Sequence, residues 1–156
     1  MNKRLFNYIA ASPTAYHAVA HTAETLRENG YQELCESDDW KLTAGKGYFV
    51  TRNGSSLIAF RIPKSDFHGF MMTAAHGDSP CFKIKENAEL TDGSYVRLST
   101  EKYGGMLCAS WMDRPLSVAG RLTVRTENGM DVRLVDLREP CAIIPNVAIH
   151  MNRNAN

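Results

Sequence analysis

Asn53-Gly54 sits between two strand-like runs, residues 47–52 and 55–62. An Asn-Gly pair favours a tight hairpin because both central residues then need positive φ, which Asn tolerates and Gly adopts freely. A paired sheet is therefore expected from about residue 47. Upstream, Leu5, Tyr8 and Ile9 fall on one helical face, and Ser12-Pro13-Thr14 breaks that run. Thr14 suits an N-cap for a second helix. That helix carries Tyr16, Val19, Ala20, Ala23 and Leu26 on one side and ends at Asn29-Gly30, a good C-cap pair. Downstream, residues 69–75 are almost wholly apolar, and such a continuous run predicts a strand central in its sheet. Helices, hairpin and buried strand together predict an α/β domain, a mixed sheet with flanking helices.

The strand-like run ends in Ala75-His76-Gly77-Asp78-Ser79-Pro80. Neutral imidazole binds zinc, and a carboxylate nearby can hold a ligand's second nitrogen or orient bound water. Gly77 permits a sharp turn and Pro80 stops the strand. A lone His-x-Asp is common by chance, so a histidine satisfied within the protein is the competing reading. His17 and His21 also have ligand spacing, but the segment between them, Ala18-Val19-Ala20, lacks the glutamate that a zincin helix uses. They read as helix-surface or partly packed histidines.

After about residue 85 the character changes. Turn residues become frequent at Asp92-Gly93, Gly104-Gly105 and Asn128-Gly129, and residues 118–126 and 131–137 read as a further hairpin. A division into 1–85 and a β-rich 86–156 follows, with a single undivided domain as the alternative.

Charge excludes one class. Lys plus Arg number 18 against 17 Asp plus Glu, so no basic field exists to attract nucleic acid or an anionic membrane. No apolar run reaches the length of a membrane span, and the start of the chain does not read as a secretion signal. Cys35, Cys81, Cys108 and Cys141 show no C-x-x-C pairing, so a structural zinc knot is not expected. Free thiols in a reducing cytoplasm are the simplest reading.

Five blocks in order carry a resemblance: Ser12-Pro13-Thr14-Ala15-Tyr16-His17, the hairpin from Tyr48 to Phe60, Ala75-His76-Gly77-Asp78-Ser79-Pro80, Tyr103-Gly104-Gly105 with Asp113-Arg114-Pro115-Leu116 and Ala119-Gly120-Arg121, and the run from Ile144 through His150 to Asn154. In these the chain resembles the aspartyl aminopeptidase family of zinc metallopeptidases. The resemblance implies the start of a metallopeptidase domain followed by an incomplete β-rich inserted dimerisation domain. It implies His76 as the first zinc ligand. Asp78 would be the acidic residue that supports His76 and tunes the metal site, grouped with the catalytic residues. His150 would reach the substrate pocket of a neighbouring subunit. Two zinc ions, a peptide substrate with an N-terminal, acidic residue, a homo-oligomer through the β-rich half and a cytoplasmic location complete the expectation.

Asp113 and Arg114 are expected to form a structural ion pair holding a turn. Gly77 stands where the family has Thr, Pro115 where it has an acidic residue, and Met106 where a third glycine is typical. The remaining ligands and the general base of such an enzyme are not recognisable here, so this polypeptide alone is expected to be inactive. The rival reading is a non-enzymatic oligomerisation or interaction module, with Tyr95, Val96, Leu98, Tyr103, Trp111 and Val118 supplying its apolar interface.

Overall fold

The computed structural model describes residues 2–151. The last part of the final block, Asn152-Arg153-Asn154, lies outside them. The chain forms two compact units, Met1–Asp78 with Ala119–Asp136, and Ser79–Val118 with Leu137–Asn156.

The first unit opens with α1 (Asn2–Ala10) and α2 (Ala15–Glu28). Thr14 stands at the N-cap in extended backbone, and its hydroxyl accepts the His17 N–H at 3.4 Å. The same hydroxyl meets His17 Nδ1 at 2.8 Å, so His17 is committed to the helix start. His21 lies against the Tyr8 ring at 5.5 Å, and Tyr8 shares a 3.0 Å hydrogen bond with Thr22. Both histidines are engaged within the helical segment, in line with the reading drawn from the missing glutamate between them. Gly30, at φ +77°, takes the left-handed position that ends the helix. Thr14→Ala removes an acceptor from the orphan N–H groups of the first turn and is expected to destabilise the protein by about 1 kcal/mol, readable as a shift in the urea midpoint at unchanged m-value.

A three-stranded sheet follows, in the order β1 (Gln32–Glu33), β2 (Gly47–Arg52) and β3 (Ser56–Arg61). β1 runs parallel to β2, and β2 pairs antiparallel with β3 from Gly47↔Arg61 to Arg52↔Ser56. The expected hairpin is present: Asn53 and Gly54 have φ of 54° and 62°, and the Arg52 carbonyl accepts the Ser55 N–H at 3.1 Å. The core forms where the Val19–Ala23 face of α2 covers β2, around Tyr48, Phe49 and Val50. Phe49 is 0% exposed, and the Arg27 guanidinium caps its ring at 5.5 Å. The Tyr48 hydroxyl accepts the Thr43 N–H at 2.8 Å, so the buried phenol is satisfied. Gly47 is required by packing. A Cβ there would stand 2.6 Å from the Tyr31 ring.

Arg52 clamps Glu36 with two nitrogens. This hydrogen bonding holds the Glu36 carboxyl below its ordinary range and Arg52 above its own. The depressed carboxylate pKa contributes stability at neutral pH that is lost as pH falls through the folded-state value. Both groups are exposed, so solvent screening keeps that contribution small.

The strand expected over residues 69–75 is not formed. Among the described residues none of them joins a ladder, and Phe70, Met71 and Met72 are 79%, 104% and 88% exposed. A run that is apolar on both faces needs cover on both, and the first unit gives it none. The last pair in this unit, β6 (Ala119–Thr126) and β7 (Gly129–Asp136), is a regular antiparallel hairpin turning at Glu127-Asn128.

The second unit is built on β4 (Cys81–Asp92) and β5 (Tyr95–Tyr103), joined by a turn with Gly93 at φ +58°. The ladder slips between Ile84 and Glu89, where Asn87 takes φ +49°. Phe82 meets Trp111 of a short 3₁₀ turn edge to face at 5.5 Å. The whole is a mixed α/β architecture of two helices and small sheets.

Candidate functional site

His76 and Asp78 meet at the end of the uncovered apolar run. His76 Nδ1 lies 2.9 Å from the Asp78 carbonyl oxygen and 3.1 Å from its Oδ1. Both partners are acceptors, so Nδ1 must carry the proton and donate. That tautomer leaves the Nε2 lone pair unprotonated and directed away from Asp78. The imidazole is 81% exposed, so Nε2 is reachable. The two-residue spacing makes this local, and a side chain at position 77 would meet open space, since nothing stands within 4 Å of where a Cβ on Gly77 would be. A histidine whose second nitrogen is fixed by a carboxylate has the arrangement of a zinc ligand with its orienting partner. The donor set therefore fits one position of a zinc coordination sphere. Among the described residues no three His, Cys, Asp or Glu side chains converge to form a fuller one.

His150 lies in the second unit, in an exposed turn closed by the Met151 N–H on the Ala148 carbonyl at 2.8 Å. Asp113 and Arg114 do not form the expected ion pair. Asp113, at φ +55°, donates its N–H to the Ile144 carbonyl at 2.9 Å and accepts the Asn146 N–H on Oδ1 at 2.8 Å. Arg114 donates instead to the Ser110 carbonyl at 3.4 Å. The left-handed backbone at Asp113 swings its carboxylate away from Arg114 and onto the strand-like segment that leads to His150. Sequence spacing gives no sign of this clamp, since its halves stand 33 residues apart.

Within the first unit, three of the resembling blocks converge on one groove. Arg121 of β6 stacks over the Tyr16 ring at 4.2 Å and donates to the Asn53 carbonyl at 2.7 Å. The groove, about 540 Å³, is bounded by α2, the β2–β3 turn, Arg121, Val132 and Leu134. Arg27, on its rim, is paired with Glu33.

Residues 8–156 match the family described as aminopeptidase I zinc metalloprotease (M18). A probable M18 family aminopeptidase 2 of Pseudomonas paraeruginosa is 47% identical over 158 residues, which cover 100% of this chain and 37% of that protein. Mature Ape1 of Chaetomium thermophilum superposes with a TM-score of 0.89 at 36% identity, over 96% of this chain and 35% of that one. Among other solved structures, the mature Ape1 dodecamer of Saccharomyces cerevisiae gives a TM-score of 0.79 at 28% identity, over 95% of this chain and 36% of that one. The chain thus spans little more than a third of the length of the relatives it matches.

Proposed function

The chain belongs to the M18 family of aminopeptidase I zinc metalloproteases, and on that footing we propose that it is the front part of a zinc metalloaminopeptidase removing N-terminal, acidic residues from peptides. The observation that carries the proposal is the His76–Asp78 contact, in which two acceptors at Nδ1 leave Nε2 free to bind metal. His76 supplies one ligand to the first of two zinc ions. Asp78 keeps the proton on Nδ1 and the ring in place, and its charge strengthens the imidazole as a donor. His150 contacts substrate in a neighbouring subunit. Zinc, when bound, supplies Lewis acidity toward a peptide carbonyl.

Catalytic zinc sites use three protein ligands, and His76 is one. This polypeptide on its own is therefore inactive. Purified chain supplied with zinc is expected to leave aspartyl and glutamyl aminoacyl substrates uncleaved over hours. Robust turnover lost on chelation and restored by zinc would overturn the inactivity and leave the peptidase assignment standing.

The β-rich part from about residue 86 is the start of an inserted dimerisation domain, through which copies form a homo-oligomer. Support comes from the dodecameric relative and from the exposed apolar side chains of β5, Tyr95 at 77% and Val96 at 68%. The same side chains favour the second reading, an interaction module without catalysis. Zinc uptake that depends on His76 separates the two. No helix among the described residues is long and apolar enough to cross a membrane. We place the protein in the cytoplasm, where its four cysteines, all unbridged, stay reduced.

A further inference from the structure

We infer that Asp113 is a positioning residue for His150, its carboxylate holding the segment that leads into the turn on which that imidazole is carried. This deepens the proposed function and rests on the substrate contact given there to His150.

Asp113 has a φ of +55°, in the left-handed region. That conformation is disfavoured for any residue with a Cβ and is tolerated best by Asn and Asp. It persists where surrounding contacts over-determine it. Here they do so on both sides. Before Asp113, Trp111 meets Phe82 of β4 edge to face at 5.5 Å, and the Met112 N–H donates to the Ala109 carbonyl at 3.3 Å. After it, the Leu116 N–H donates to the Ala142 carbonyl at 2.9 Å, and the Cys141 N–H returns to the Leu116 carbonyl at 2.9 Å. Between these two anchored points the left-handed backbone aims both the Asp113 N–H and its carboxylate at residues 144–146.

The receiving segment needs a side chain at this point. As far as Ile144 it is held by backbone bonds: the Leu137 N–H donates to the Val118 carbonyl at 3.0 Å, and the Asp113 N–H donates to the Ile144 carbonyl at 2.9 Å. Pro145 has no N–H and cannot extend the pairing. The tie then passes to the carboxylate, with the Asn146 N–H donating to Asp113 Oδ1 at 2.8 Å. Beyond it the order is local. Asn146 Oδ1 accepts the Val147 N–H at 2.9 Å, and the Met151 N–H closes the turn containing His150 on the Ala148 carbonyl at 2.8 Å. Asp113 is thus the point at which this series of bonds is fastened to the rest of the second unit.

Two substitutions separate the backbone from the acceptor. Glycine adopts positive φ without cost but has no Oδ1. Asparagine accepts positive φ and keeps an Oδ1. On the 156-residue chain, hydrogen exchange at the Asn146 amide is expected to quicken by about tenfold in Asp113→Gly and to stay near wild type in Asp113→Asn. The Thr43 N–H, bonded to the buried Tyr48 phenol, reports the fold at large and is expected to exchange alike in all three.

Activity is read in one polypeptide, this chain joined to the remaining length of the Pseudomonas paraeruginosa relative. There His150→Ala is expected to lower kcat/KM by more than about tenfold and Asp113→Gly by about three- to tenfold, because small displacements of a group at the substrate are costly. Asp113→Asn is expected to stay within about twofold of wild type, and adding Asp113→Gly to His150→Ala to cost no more than about a further twofold, since the two act as a unit. Full additivity in the double variant, equal Asn146 exchange in wild type and Asp113→Gly, or asparagine failing as glycine does would each overturn the positioning role and leave His150 at the substrate. An unaltered kcat/KM in His150→Ala would remove the substrate contact itself, and the positioning role with it.

Discussion

In an active assembly containing this chain, His76→Ala is expected to lower kcat/KM by more than about a hundredfold, and Asp78→Asn to weaken zinc binding by about ten- to a hundredfold. The two variants separate the ligand from its support. Alanine at position 76 removes the donor atom altogether, and the two histidines at ligand spacing on α2 are engaged elsewhere: His17 is held by Thr14 and His21 packs on Tyr8. Asparagine at position 78 retains an Oδ1 acceptor, and the position 78 carbonyl still accepts from Nδ1, so the tautomer survives. What is lost is the negative charge on the group that orients the ligand, a change that weakens metal binding. The expected split is therefore loss of zinc content in His76→Ala and partial loss, restored at higher zinc, in Asp78→Asn. Equal zinc affinity in wild type and His76→Ala would remove the metal role. Zinc titration followed by calorimetry, with kcat/KM at saturating metal, makes the comparison.

Phe49→Ala is expected to destabilise the first unit by about 3–5 kcal/mol. Phe49 is wholly buried at the centre of β2, with α2 on one side and the Arg27 guanidinium over its ring. Few side chains share that core: beyond Phe49 the first unit buries Tyr48, Val50 and three small residues of α2, Ala18, Val19 and Ala23. Deleting the ring leaves a cavity that such small neighbours cannot close. Small domains hold only about 5–15 kcal/mol in total, so the loss is expected to remove the cooperative unfolding transition or lower it to near ambient temperature. Far-UV circular dichroism against temperature reads this directly. A melting transition within a few degrees of wild type would mean the core lies elsewhere.

The parts of the fold that were legible in the sequence are those decided within a few residues. Thr14 and Gly30 mark the ends of α2 because capping is a local exchange of hydrogen bonds. Asn53-Gly54 marks the β2–β3 turn because only certain residues accept positive φ twice in succession. The His76–Asp78 contact belongs with these, its two partners lying two positions apart. Strand formation at residues 69–75 was not decided locally. Its composition states what it can bury, but pairing needs neighbours that the described residues do not supply. Asp113 illustrates the same limit in reverse. It looked paired with its sequence neighbour, yet a left-handed backbone turned it toward Asn146. The slip in β4 at Asn87 likewise follows from cross-strand register, which no single-strand pattern encodes.

The central claim is that Asp78 holds the proton on His76 Nδ1 so that Nε2 presents a lone pair to a metal. Long-range ¹H–¹⁵N correlation of the imidazole nitrogens, recorded on the 156-residue chain above the histidine titration range, reads that tautomer atom by atom. A protonated Nδ1 with an unprotonated Nε2 that alone moves on addition of zinc is the expected result. A proton on Nε2, or a zinc-induced shift confined to Nδ1, would contradict it.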